Sequence, residues 1–268
     1  MKFNKKYDEL TFADDFLFCK ILSSKPELAK QLLEIILKVK IRSIKNTTAQ
    51  YAVDNAYAKK GVRFDVYVEG DDTVYDIDMQ VKPDAEIGRR MRYYQSMIDL
   101  NLLDRGAYYQ DLPKSVVIFI CKDAPFKESN LPVYTFKYRC LEDASVNLGD
   151  DTMKILLNAA GDLAQTDEAI ATFLDFVKTG RSADVFTGDL QNEVKNAILK
   201  EEWRTEFMTL EMKLMEERRE GRAEGRAEER DETKLAVQQA ISSGKSCDEV
   251  VNMILSGELN LQTEQSNS

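Results

Sequence analysis

Residues 61–82 read Gly-Val-Arg-Phe-Asp-Val-Tyr-Val-Glu-Gly-Asp-Asp-Thr-Val-Tyr-Asp-Ile-Asp-Met-Gln-Val-Lys, with apolar and polar side chains alternating on both sides of a Gly-Asp-Asp-Thr break. A period of two belongs to a strand with one face in the core, so the stretch is constrained to be a β-hairpin. The alternation predicts an apolar face of Val62, Phe64, Val66 and Val68 on the first strand, and of Tyr75, Ile77, Met79 and Val81 on the second. Two registers satisfy it. A loop over residues 70–73 sets Val66 against Ile77 and Asp65 against Asp78, whereas a two-residue turn at Gly70-Asp71 sets Asp65 against Asp76 with Asp78 as its diagonal neighbour, about 7–8 Å away.

Either register brings Asp65 and Asp78 near one another on the polar face. Opposed carboxylates weaken a sheet unless positive charge lies between them, and a divalent cation would supply it. The bland reading is a hairpin whose acidic outer face is simply solvated. The order Asp65, Asp78, Gln80, Lys82 along one face favours the cation.

What the chain lacks narrows the chemistry. It has no histidine, which excludes Ser-His-Asp and Cys-His catalysis and His-ligated zinc hydrolysis. Cys19, Cys121, Cys140 and Cys247 show no Cys-x-x-Cys spacing, so neither a disulfide framework nor a zinc site is indicated. With 37 basic and 47 acidic residues the formal charge is −10, and any DNA contact has to be local rather than spread over the surface. No stretch approaches the roughly 18 apolar residues of a membrane span, and a cytoplasmic protein is expected.

The pattern Asp65, then Asp78-x-Gln80 after a short hairpin, resembles the PD-(D/E)xK nuclease superfamily, and the wording around it resembles the recombination-promoting nuclease, or transposase, family. Residues 11–20 (Thr-Phe-Ala-Asp-Asp-Phe-Leu-Phe-Cys-Lys) are similar to that family's opening helix, residues 89–94 (Arg-Arg-Met-Arg-Tyr-Tyr) to its next helix, and residues 116–121 to its next strand. The resemblance implies a restriction-endonuclease-like α/β fold and a metal-dependent DNA endonuclease of recombination or mobile-element processes. It also implies a catalytic set of Asp65, Asp78, Gln80 and Lys82, with Asp65 and Asp78 holding Mg2+ or a similar cation such as Mn2+ or Ca2+. This sequence departs from the pattern by Phe64 at the proline, Asp78 where glutamate is commoner, and Gln80 at the lysine. An inactive nuclease-fold module for interaction or DNA binding is therefore the competing expectation.

Around the hairpin, residues 11–22 read as a helix in which Asp14 and Asp15 suit the positive end of the dipole. A second helix follows from a capping box at Ser24 and Glu27. Residues 86–103 pattern as a helix with Met91, Tyr94, Met97, Ile98 and Leu102 inward, and Arg63, Arg89, Arg90 and Arg92 are candidates for DNA phosphates. Residues 115–121 form an unbroken β-branched and aromatic run, the mark of a strand covered on both faces. A further strand is expected over 133–140.

The predicted organisation is an α/β nuclease-like domain over 1–145, with a mixed sheet flanked by helices, and a helical subdomain over 146–200 that includes a helix at 151–160. A charged helical linker over 201–232 follows, with its repeated Gly-Arg-Ala-Glu, then a helical hairpin and unstructured tail over 233–268. Met208, Met212 and Met215 suggest a homo-oligomer seam in the C-terminal helices.

Overall fold

The computed structural model describes residues 5–53, 61–83 and 85–256. One compact unit spans Asn4–Arg204 and a second begins at Thr205. The first is built on a six-stranded mixed sheet in the order β1-β2-β3-β4-β6-β5, formed by β1 (Asn46–Val53), β2 (Val62–Glu69), β3 (Thr73–Gln80), β4 (Lys114–Cys121), β5 (Val133–Phe136) and β6 (Thr152–Asn158). The first three strands are antiparallel, β3, β4 and β6 are parallel, and β5 closes the edge antiparallel to β6.

The hairpin takes the four-residue-loop register: Val66 faces Ile77, Val68 faces Tyr75 and Glu69 faces Val74. Residues 116–121 of β4 are all buried, as the unbroken apolar run requires of a strand covered on both faces. Helix α3 (Ile87–Leu102) crosses from β3 to its parallel neighbour β4. It lays Met91, Tyr94, Met97 and Ile98 over Val117, Phe119, Cys121 and Leu156. The side chains that alternate with these, Ile77, Ile118 and Ile120, are fully buried too. Helix α1 (Asp15–Ser24) packs on β1 and β2, α2 (Pro26–Leu37) and α5 (Val185–Ile198) pack with it and with each other, and α4 (Glu168–Thr179) packs with α2 and α5.

Three expectations need correction. Residues 151–160 are not a helix, because β6 lies there and pairs along its whole length with β4. The sheet is therefore complete only at Asn158, beyond the 145 expected. The start of α2 is not boxed by Ser24, whose hydroxyl donates back to Ile21; Pro26 is its first residue, where a missing N–H costs nothing. The alternation of β2 also fails at one point. Phe64 and Tyr67, three residues apart and so opposed in a regular strand, pack their rings 5.8 Å apart, and both belong to the α3 side. The phase changes at Asp65, which has no partner in the β1 ladder; its would-be partner Gln50 has the positive φ of 52°.

Helix α6 (Glu201–Ser242), which begins in the last residues of the first unit, runs unbroken through Gly221 and Gly225 to Ser242, past the 232 expected for the charged stretch. It turns at Gly244, with φ 87°, into α7 (Cys247–Ser256). Ser246 and Glu249 form the capping box that their spacing predicts, and Ala240 and Val250 close the hairpin's small core with Ala236, Val237 and Met253. The unstructured tail expected at 263–268 lies outside the described residues. No helix among the described residues is long and apolar enough to cross a membrane.

Candidate active site

At Asp65 the β2/β3 pairing changes character. Backbone pairing stops at Val66 and Ile77, and the next two cross-strand bonds are made by side chains. The Asp65 N–H donates to Asp78 Oδ1 at 3.1 Å, and the Met79 N–H donates to Asp65 Oδ2 at 3.0 Å. Each carboxylate thus takes a backbone donor from the other strand, and the strand ends are parted with both acids between them.

Asp78 is fully buried under α3. Its Oδ2 accepts from Gln80 Nε2 at 2.9 Å and from Arg90 Nη2 at 3.1 Å. Burial pushes its carboxyl well above the usual range and neighbouring Asp76 adds to this, while Arg90 opposes it. Asp65 is half-buried and raised first by burial, then by Asp78 and Asp15.

Asp15, the first residue of α1, was read from the sequence as a dipole partner. The structure instead puts its carboxyl beside that of Asp65, and burial raises both above the ordinary carboxylate value. Cys19, one turn on, places its Sγ in the same group, with ligand atoms of Asp15, Cys19 and Asp65 all within 4.8 Å of one another. Its thiol donates to Asp15 Oδ1 at 3.5 Å, and burial followed by the nearby acids holds its pKa well above the ordinary value. A thiol is a soft ligand and suits a hard cation poorly, so the carboxylate oxygens of Asp15 and Asp65, with Asp78 beside them, are the groups that could hold one. Carboxylate oxygens gathered this closely fit a divalent cation of the magnesium or manganese kind.

The sequence-predicted residues part into two groups. Asp65, Asp78 and Gln80 are brought together. Lys82 is not: β3 ends at Gln80, and Lys82 is exposed and takes no part in the bonds around Asp78. Arg63, Arg89 and Arg92 are exposed at the surface, Arg89 paired with Glu86 at 3.0 Å. Arg90, expected at a phosphate with them, is turned inward to Asp78 and Gln80. The helical period explains this, since Arg90 and Tyr94 lie one turn apart on the side of α3 facing the sheet.

Asp76 was not singled out by the sequence. It is fully buried with neither oxygen hydrogen-bonded among the described residues, and burial, then Asp65, raises its carboxyl well above the ordinary 3.8. An acid whose folded pKa is raised keeps its proton in the fold while the unfolded chain loses it, so stability falls as pH rises above about 3.8 towards the raised value. Asp76→Asn should therefore melt a few degrees above the wild type at pH 8, with the gap narrowing towards pH 4 in thermal scans. An equal shift at both pH values would count against this account of Asp76.

A mixed sheet flanked by helices, with acids gathered where β2 and β3 part, defines an α/β restriction-endonuclease-like fold followed by C-terminal helices. The chain belongs to the PD-(D/E)XK nuclease family transposases, whose family model matches residues 13–218. Neither the curated proteins nor the solved structures contain a match to it.

Proposed function

We propose that the protein is a divalent-metal-dependent DNA endonuclease that hydrolyses phosphodiester bonds in the cytoplasm, in recombination or mobile-element processes. The observation that carries this reading is the gathering of the Asp15 and Asp65 carboxyls, with ligand atoms within 4.8 Å of one another, beside buried Asp78 and the guanidinium of Arg90. Asp65 and Asp78, joined by Asp15, would hold the cation. When bound, such an ion lowers the pKa of a water and offsets charge gathering on the phosphate.

The protein's own groups have separable roles. The Met79 N–H and Asp65 N–H fix the two carboxylates in place. Gln80 keeps one amide hydrogen beyond its bond to Asp78 and directs it at the scissile phosphate or its attacking water. Arg63, Arg89, Arg92 and Lys82 are the exposed cations near this end of the sheet and hold the DNA backbone, which lets an acidic protein bind DNA locally. Met208, Met212 and Met215 are exposed on α6 at helical spacing, which supports a homo-oligomer through that helix.

Supercoiled plasmid should be nicked or linearised with Mg2+ or Mn2+ and left intact with EDTA. Cleavage that persists in EDTA defeats the proposal. Gln80→Ala should lower turnover with little change in DNA affinity. Lys82→Ala should weaken DNA binding and flatten its dependence on salt, leaving turnover at saturating DNA unchanged. Loss of turnover in Lys82→Ala alone would transfer the chemical role to Lys82.

A further inference from the structure

Arg90 closes a ring of hydrogen bonds. Its Nη1 donates to Gln80 Oε1 at 2.7 Å and its Nη2 to Asp78 Oδ2 at 3.1 Å, while Gln80 Nε2 donates to that same Oδ2 at 2.9 Å. Arginine only donates and carboxylate only accepts, so the orientation of the Gln80 amide follows from its two neighbours. The guanidinium is itself anchored. Nη2 also donates to Tyr94 Oη at 3.0 Å, that hydroxyl donates to the Arg63 carbonyl at 3.3 Å, and the guanidinium carbon lies 5.2 Å from the Tyr94 ring centre and 5.3 Å from that of Phe119.

Counting lone pairs on Asp78 shows what the ring accomplishes. Oδ2 takes two donors and is filled. Oδ1 takes the Asp65 N–H and keeps one lone pair. We propose that Arg90 is a positioning residue: its planar fork locks the side chains of Asp78 and Gln80 together, so that the remaining lone pair of Asp78 points at the gap shared with Asp65. The inference rests on the reading of Asp78 as a metal ligand. A guanidinium present only to balance charge would be replaceable by any cation. A fork that spans two acceptors is not replaceable by lysine, whose ammonium is a point charge.

The test is Mn2+ binding by the full-length protein without DNA, followed by the paramagnetic signal of free Mn2+, beside thermal melting. Arg90→Lys keeps the charge and loses the fork, and should bind Mn2+ about 10–100-fold more weakly than the wild type, the usual cost of losing a group that orients a ligand. In a Gln80→Ala background, where the ring is already open, the same substitution should cost much less. Wild-type affinity in Arg90→Lys overturns the proposal, as does an equal cost in both backgrounds. Asp78→Ala separates this failure from that of the underlying reading: if it too binds at wild-type strength, Asp78 is no ligand, and if it alone loses Mn2+, only the role of Arg90 is wrong. Should Arg90→Lys not melt cooperatively, Tyr94→Phe carries the test. It preserves the guanidinium and removes one of its acceptors, so weakened Mn2+ binding supports the proposal and unchanged binding overturns it.

Discussion

Asp65→Ala and Asp78→Ala are each expected to abolish metal-dependent DNA cleavage, with rates falling by about 100-fold or more. The magnitude follows from what is removed. A bound cation contributes several kcal/mol of transition-state stabilisation, and each ~1.4 kcal/mol is a factor of ten in rate. The measurement is the initial rate of plasmid nicking at saturating Mg2+ and saturating DNA, so that altered DNA affinity does not enter. Cleavage by either variant within threefold of the wild type would mean that the metal is held elsewhere. Asp15→Ala provides a graded comparison. Asp15 reaches the site from a helix and has no backbone donor from the hairpin, so its loss should be milder than that of the two strand acids.

The second large effect is on folding. A chain ending at residue 150 contains the hairpin and all the acids but lacks β6, α4 and α5, and should not fold cooperatively. Strand β4 would lose its partner from Ser115 to Cys121, exposing the edge of a strand made almost wholly of apolar side chains. The lost layer also contains Phe173, Leu174, Phe186 and Leu190, all buried. A chain ending at residue 204 keeps the whole first unit and should melt cooperatively with Mn2+ affinity intact. Circular dichroism and thermal melting of the two truncations decide this. A folded 150-residue chain would show that β6 is an accessory to the sheet.

The hairpin was legible in the sequence because a period of two is hard to produce any other way, and a four-residue polar break between two such runs leaves few registers. Strand β4 was legible because a continuous β-branched and aromatic run of that length, without helical spacing, has to be covered on both sides. By contrast, Thr152-Met-Lys-Ile-Leu-Leu-Asn158 mixes apolar residues at spacings that suit a buried strand or a helix, and only its pairing with β4 decides between them. Arg90 stood in a charged run whose members look equivalent until the helix is rotated against the sheet. Asp15 had a sufficient local reason to be where it is, as the first-turn acid of a helix, and nothing local to show that Asp65 would come against it. The Asp65 phase change was hidden for a related reason: it is created by side chains standing in for backbone acceptors, and period-two patterning contains no sign of such a substitution.

The exchange of backbone donors between β2 and β3 bears on why aspartate stands at these two positions at all. An asparagine at 65 and another at 78 would accept the same two N–H groups through their amide oxygens, with no repulsion between them and no buried carboxyl to raise. For ending the pairing of two strands, the neutral pair is the cheaper solution. The chain instead retains acids at 65 and 78 and sets a third, at 15, against them, at a cost to the stability of its own sheet. Ending the pairing of two strands does not call for these charges, and that is what makes the three acids a candidate site for a cation.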